Sequence, residues 1–181
     1  MKTSLNKNRY MAAFGIICCF LTSFFVSCED RDYPMGLEEY EHHYYIVYVP
    51  NNNSAVTVQR NQTELLELPV QFYSEFERPY DAVATYEIST SDLATGAVPA
   101  VLGEDFQIVD ADGKTIQPVN GKYEITFPKA LKAKAKVYVK LLNNSSAQGQ
   151  RSVNINFVDN IQEQYRVDIF STAFKRTINI K

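Results

Sequence analysis

The stretch that decides the fold is 133-AKAKVYVKL-141, in which apolar and polar residues alternate without a break. Its odd positions are all apolar and end in Val137, Val139 and Leu141. Its even positions carry three lysines and one tyrosine. A helix would scatter these lysines around its axis, whereas a strand places them all on one face. The stretch therefore predicts a β-strand with one buried face and one solvated face.

The same period of two recurs on both sides of this strand. Apolar alternation bounded by turn-forming residues predicts nine or ten short strands, at 44–49, 55–59, 66–72, 84–88, 105–109, 123–127, 133–141, 152–158, 165–169 and 175–180. No helix and no internal repeat is predicted in this region. Short strands at this spacing are typical of an antiparallel sandwich, so we expect an all-β domain over residues 44–181.

Three local signals refine the expected strands. Asp112-Gly113 and Asn120-Gly121 predict hairpins, since a type I′ turn needs positive φ at both central positions. Pro69 lies within the run 66–72 and predicts an edge strand or a bulge there, because proline cannot donate a ladder hydrogen bond.

The N-terminal segment predicts export. Met11 to Val26 is an apolar run of sixteen residues, preceded by Lys2, Lys7 and Arg9 and followed by Ser27. This is the layout of a secretory signal peptide, predicted over residues 1–27. A transmembrane helix is less favoured, because it needs about 20 apolar residues. The run would also fit a signal peptide without lipid or a buried core helix.

The end of this segment, Phe25-Val26-Ser27-Cys28, resembles the lipobox of bacterial lipoproteins, with Phe25 in place of the usual leucine. The resemblance implies that Cys28 becomes the first mature residue and carries a covalent lipid. The acidic Glu29-Asp30-Arg31-Asp32 is similar to the export signal of Bacteroidetes surface lipoproteins. That likeness implies an outer-membrane, cell-surface location, with residues 28–43 as a lipid-anchored acidic tether.

Charge and cysteine count exclude several classes of function. Residues 28–181 contain 15 Lys and Arg against 21 Asp and Glu, a balance that argues against a nucleic-acid partner. Cys28 is their single cysteine, so no disulfide can form among them. Neither histidine has an assignable nucleophile, and no glycine-rich phosphate loop is present. We therefore expect a non-catalytic protein without a cofactor apart from the lipid.

The order of motifs from Ala55 onward resembles the Calx-beta family of immunoglobulin-like sandwiches. The matching pieces are AVTVQRNQTE (55–64), ELPVQF (67–72), AVATYEIS (82–89), LGEDFQIV (102–109), YEITFP (123–128) and KVYVKLL (136–142). Calcium-binding members carry an acidic segment after the last piece, but residues 143–150 here read NNSSAQGQ. Calcium needs several carboxylates, so calcium binding is not carried over. A weaker site involving Asp105, Asp110 or Asp112 stays an alternative.

Two sets of side chains are candidates for binding a ligand. Tyrosine rings stack on sugars, and the candidate contacts are Tyr44, Tyr48, Tyr73 and Tyr80; the alternative is that they pack within strands. The second set consists of lysines at 129, 132, 134, 136 and 140. They could bind anionic polysaccharide or a membrane surface, but protection against edge-to-edge aggregation is the favoured explanation. For His42-His43, a solvated tether is favoured over metal binding.

These observations together predict a non-catalytic envelope lipoprotein that acts as a cell-surface binding module. The expected partners are the membrane, through the lipid on Cys28, and a polysaccharide or an envelope protein, as in a glycan-uptake system. The alternative function is a structural, adhesive or assembly subunit that acts through strand-edge contacts. The ligand and the oligomeric state stay open at this stage.

Overall fold

The computed structural model describes residues 42–181. The predicted signal peptide, Cys28 and all of the tether except His42 and His43 lie outside the described residues. One short 3₁₀ helix, Pro128–Ala130, is present, and no helix among the described residues is long and apolar enough to cross a membrane. The strands are β1 (His43–Tyr48), β2 (Val56–Val58), β3 (Leu66–Tyr73), β4 (Ala82–Ser89), β5 (Val98–Pro99), β6 (Phe106–Val109), β7 (Tyr123–Phe127), β8 (Ala133–Leu141), β9 (Arg151–Val158), β10 (Asn160–Ile161), β11 (Arg166–Ile169) and β12 (Lys175–Ile180).

The strands form two sheets that pack as a sandwich, which confirms the all-β fold predicted from the sequence. Sheet I has the order β10-β11-β1-β3-β8-β6, and sheet II has the order β2-β12-β9-β4-β7 with β5 beside β9. Most neighbouring strands are antiparallel. The parallel pairs are β1 with β11, β2 with β12 and β5 with β9. The first two strands therefore lie in different sheets: β1 pairs with β11 in sheet I, and β2 pairs with β12 in sheet II.

Every second side chain along the strands points inward, and these side chains fill the space between the sheets. In β3 the inward residues Leu68, Val70 and Phe72 are at most 1 % exposed. Phe72 stacks on Phe127 of sheet II with ring centroids 4.2 Å apart and an interplanar angle of 9°. Full burial of each such side chain contributes about 1.5–3 kcal/mol. The core therefore depends on the period of two that the sequence shows.

The edge position predicted from Pro69 is wrong, because β3 lies between β1 and β8. The carbonyl of Pro69 accepts a hydrogen bond from the Val49 N–H (2.8 Å), one residue beyond the end of β1. In a strand the nitrogen and carbonyl of one residue face the same neighbour. The nitrogen of Pro69 thus faces the end of the pairing between β3 and β1. The lack of an N–H donor there interrupts few hydrogen bonds between the two strands.

The two predicted hairpin turns differ. Asn120 and Gly121 have φ of 51° and 78°, and Val119 and Lys122 exchange both backbone hydrogen bonds, so the type I′ turn is confirmed. At Asp112-Gly113 only the glycine has positive φ, 80°, so the type I′ prediction is wrong there. The Gly113 N–H donates to the Asp110 carbonyl (3.0 Å) and the Asp110 N–H donates to the Lys114 carbonyl (2.9 Å), so the turn is a three-residue loop over 111–113.

Candidate functional site

The four tyrosines predicted to contact a ligand lie in different environments. Tyr44 is 2 % exposed and Tyr48 is fully buried, because both share the inward parity of β1. The Tyr48 ring packs 5.0 Å from that of Phe157, and its hydroxyl donates to the Ile155 carbonyl (3.1 Å). Ligand contact is therefore wrong for Tyr44 and Tyr48, whose rings belong to the core.

Tyr80 is partly exposed but belongs to a tyrosine cluster, consisting of His42, Tyr44, Tyr80 and Tyr165. Its hydroxyl hydrogen-bonds to Nδ1 of His42 (2.6 Å) and to the hydroxyl of Tyr44 (2.7 Å). Its ring stacks on Tyr165 at 5.5 Å and 7°. Burial first, and then the bond to Tyr44, raise the pKa of Tyr80 well above its usual value. Both the hydroxyl and one ring face of Tyr80 are therefore used inside the protein.

His42 and His43 belong to the folded domain rather than to a solvated tether. His43 is the first residue of β1, one position before the predicted start of the domain at Tyr44. The carbonyl of His42 accepts a hydrogen bond from the Arg166 N–H (3.0 Å). The two rings have separate neighbours, since His42 contacts Tyr80 and His43 lies 3.9 Å from Asp168.

Tyr73 is the predicted contact that remains open to solvent. It is 41 % exposed and lies on the outer face of sheet I, opposite in parity to Phe72. Tyr45 is its register partner on β1, so the two side chains share that face. Phe170, which is 45 % exposed, packs its ring 4.9 Å from Tyr45. These three residues form a solvent-facing aromatic patch.

Four of the five predicted lysines extend from this patch, whereas Lys129 pairs with Glu77. Lys132 holds its ammonium 5.5 Å from the centroid of the Tyr73 ring, a cation–π contact. The even-numbered lysines of β8 continue along the same outer face and are all exposed. We call this region the aromatic–lysine surface; it consists of Tyr45, Tyr73, Phe170, Lys132, Lys134, Lys136 and Lys140.

This surface carries more positive charge than its acids can balance. The strands of sheet I contain two acids, and each has a cation: Glu67 pairs with Lys136 (2.5 Å), and Asp168 pairs with Arg166 (2.5 Å). The hydrogen bond to Glu67 raises the pKa of Lys136. Among residues 42–181, no carboxylate lies within 4.0 Å of the ammonium of Lys134 or Lys140. Their cross-strand partners are the neutral Gln71 and Gln107.

Strand pairing bears differently on the favoured explanation along β8. Edge strands use lysine to prevent pairing with other chains. β8 has β3 along one side, but on the other side β6 pairs with it only from Tyr138 to Leu141. It shares a seven-residue register with β3, from Leu66↔Val139 to Phe72↔Ala133. Lys140 lies in the part of β8 that is paired on both sides, whereas Lys134 and Lys136 lie where β8 pairs with β3 alone among the described strands. The prediction of edge protection is therefore wrong for Lys140 and stays a prediction for Lys134 and Lys136.

The three aspartates considered for calcium have local hydrogen-bonding roles or none. Asp105 is 3 % exposed, and its carboxylate accepts from the Val101 N–H (2.7 Å) and from Nδ2 of Asn144 (2.8 Å). Asp110 accepts from the N–H groups of Asp112 and Lys114 within its own turn. Each carboxylate oxygen of Asp105 thus already has one donor within the protein. Within residues 42–181 no group of three or more His, Cys, Asp or Glu is placed to hold a metal ion.

Two arginines that the sequence did not single out hold loops in place. The guanidinium of Arg60 donates to the carbonyls of Ala147 and Gly149, in the segment that lacks carboxylates. Arg176 is 2 % exposed, shares the inward face of β12 and donates to Pro50, Asn52 and Ser54. Burial lowers the pKa of Arg176. No sequence signal identifies these contacts, since their partners lie far along the chain.

A cavity of about 330 Å³ lies on the other side of the domain, between residues 92–97 and sheet II. Ser152, Thr177 and Asn179 contribute to its lining, and these hydroxyl and amide groups already bond within the sheet. Its volume is at the lower limit for ligand sites. None of the predicted site residues lines it, and we take the aromatic–lysine surface as the candidate site.

Comparison with known proteins yields structural neighbours only. No family model matches the sequence, and no curated protein matches it. Among solved structures, the apo-form Calx CBD1 domain has a TM-score of 0.49 at 17 % identity, over 76 % of this chain and 95 % of that one. CBD12 from CALX1.2 also has a TM-score of 0.49 at 17 % identity, over 75 % of this chain and 44 % of that one. The neighbours thus include Calx domains.

Proposed function

We propose that the chain is a non-catalytic, lipid-anchored envelope protein that binds a glycan through the aromatic–lysine surface. The observation that carries this proposal is the exposed ring of Tyr73, flanked by Tyr45 and approached by the ammonium of Lys132. Tyrosine offers an apolar ring face to a sugar and a hydroxyl for hydrogen bonding. A rigid sheet supports these side chains, which reduces the entropy lost on binding.

The location of the protein in this proposal follows from its first 41 residues. Cys28 receives the lipid, residues 28–41 space the domain from the outer membrane, and the domain faces the cell exterior. Lipid labelling of cells that produce the chain tests this part. We expect label on the natural chain and none on the Cys28→Ser variant. Label retained by the variant would contradict the anchor.

Glycan binding is tested with the full chain in mild detergent against a polysaccharide panel, by titration calorimetry and thermal melts. A ligand that binds only the folded state raises the melting temperature. We expect Tyr73→Ala to weaken binding by roughly threefold to tenfold, the range of one aromatic contact. Phe76→Ala is the matched control, because Phe76 is 61 % exposed but follows β3 rather than lying within it. Equal losses in both variants, or no binding of any polysaccharide, would overturn the proposal.

Assembly through a strand edge is the second candidate function. Strand β7 ends sheet II and pairs only with β4 among the described strands, and Glu124 and Thr126 are exposed on it. An open edge of this kind can accept a strand from another chain. Sedimentation velocity over a range of protein concentrations tests this function. Oligomers that Tyr73→Ala leaves intact would favour assembly, whereas a monomer at every concentration would exclude it.

A further inference from the structure

The lysines of the aromatic–lysine surface lie in a line. Successive outward positions of a strand are about 6.4–6.8 Å apart. Lys132 precedes β8, and Lys140 lies one residue before its end, so the row spans about 26 Å of sheet. A row of this length is longer than one sugar ring. It fits an extended chain that lies along the strand.

Charge is concentrated on this face although the domain as a whole is nearly neutral. Residues 42–181 contain 14 Lys and Arg and 15 Asp and Glu. On the strands of sheet I, however, Glu67 and Asp168 are both paired, so Lys134 and Lys140 add uncompensated positive charge. Lys132 adds to it beside Tyr73. A local positive face on a nearly neutral domain favours a negatively charged partner at that face.

We infer that the ligand of the aromatic–lysine surface is an acidic polysaccharide, bound along β8 with its anionic groups at Lys132, Lys134 and Lys140 and a sugar ring against Tyr73. This inference rests on the proposed function, because it names the ligand class of the same surface. Lysine is a compact, strongly hydrated charge on a flexible stem. Lysine therefore suits a polymer with one charge on each repeat better than it suits a single carboxylate in a fixed position.

The sharpest probe is one polymer in two charge states. Polygalacturonate carries a carboxylate on each sugar, and its fully methyl-esterified form has the same backbone without the charge. We expect the full chain to bind polygalacturonate and to bind the ester much more weakly. Binding must also weaken with salt, since the screening length falls from about 30 Å at 0.01 M to about 8 Å at 0.15 M ionic strength. Hyaluronan and chondroitin sulfate serve as further acidic polymers, and dextran serves as a further neutral polymer.

Two double variants locate the charge. Lys134→Gln with Lys140→Gln removes the two lysines without an acidic partner, and we expect a loss of about fivefold in affinity for the acidic polymer, two exposed charge contacts in all. Lys122→Gln with Lys181→Gln is the matched control. This variant changes the net charge equally, but its two lysines adjoin strands of sheet II, since Lys122 precedes β7 and Lys181 follows β12. We expect the control to bind as the natural chain does.

The outcomes separate this inference from the proposed function. Equal binding of the ester and the acid, with a loss on Tyr73→Ala, would keep the glycan module and overturn the acidic ligand. Equal losses in the two double variants would show a diffuse charge effect and overturn the placement on β8. Binding to vesicles that contain anionic lipid, or to nucleic acid, with no binding of any polysaccharide would overturn both proposals.

Discussion

The tyrosine cluster and the aromatic–lysine surface contain the same kinds of ring, but they use them differently. In the cluster, the hydroxyls of Tyr44 and Tyr80 bond to each other and the rings of Tyr80 and Tyr165 stack. On the surface, Tyr73 leaves 41 % of its area to solvent and has a lysine beside it. Tyr44 and Tyr45 are adjacent in sequence and still belong to different regions. The parity of a position within its strand therefore decides whether a tyrosine stabilises the fold or can meet a ligand.

The largest expected effect is a test of parity within β3. Phe72→Ala should lower the free energy of unfolding by about 3–5 kcal/mol, because it leaves a cavity against Phe127. Tyr73→Ala, one residue further on, should lower it by less than about 1 kcal/mol, since surface substitutions cost little. Urea denaturation of both variants measures the difference. Similar losses of unfolding free energy in the two variants would contradict the placement of Phe72 and Tyr73 on opposite faces of β3.

The tyrosine cluster should lose stability when one hydroxyl is removed. Tyr80→Phe leaves His42 and Tyr44 without a shared partner, and we expect a loss of about 1–2 kcal/mol in urea denaturation. Glycan affinity should not change, since this residue lies outside the binding surface. Tyr45→Phe is the matched control on the other region and should leave the stability near that of the natural chain. A lower glycan affinity of the Tyr80→Phe variant would show that the tyrosine cluster and the aromatic–lysine surface belong to one site.

Alkaline pH should act on the buried tyrosines. Burial raises the pKa of Tyr48, Tyr80 and Tyr86 in the folded state. Above about pH 10 the unfolded chain loses these protons while the folded chain keeps them. Because the unfolded state then binds fewer protons, the free energy of unfolding falls as the pH rises. Urea denaturation from pH 8 to pH 11 should show this loss, and Tyr80→Phe should show a shallower one. A flat profile would contradict the raised pKa values.

The smallest expected effect concerns the ion pair on the aromatic–lysine surface. Lys136→Gln removes the contact with Glu67, and both side chains are more than 40 % exposed. Exposed pairs contribute little to stability, so the midpoint of urea denaturation should stay within experimental error. Glu67→Gln should likewise leave it unchanged, but it should strengthen binding of polygalacturonate by releasing Lys136. Weaker binding in the Glu67 variant would contradict the charge argument.

Local patterns predicted much of the fold. The alternation in β8 and β9 placed Val137, Val139, Ile155 and Phe157 in the core, and each is at most 1 % exposed. The pattern is local because the side-chain period of a strand holds whatever its neighbours are. Turn signals were less complete: Asn120-Gly121 forms the predicted turn, whereas the Asp110 carboxylate reshapes the turn at Asp112-Gly113.

The candidate site could be predicted only in part. Residue type and strand pattern identified Tyr73 and the lysines, but Phe170 had no signal because it follows β11 and meets Tyr45 through the parallel pairing of β1 with β11. Arg60 and Arg176 were missed for a similar reason, since their acceptors lie in distant loops. Tyr44 and Tyr48 entered the prediction because residue type alone does not distinguish a buried ring from an exposed one.

The sequence by itself determined that this domain is all-β and which face of its long strands is apolar, because side-chain alternation follows from backbone geometry within one strand. Tertiary structure alone decided that β8 pairs with β3 along its length and with β6 near its end, that Glu67 and Asp168 are paired, and that Tyr45, Tyr73 and Phe170 meet. Strand order arises from pairing between distant segments, which the free energy of the whole core selects. The contact of Lys132 with the exposed ring of Tyr73 therefore became visible only after folding.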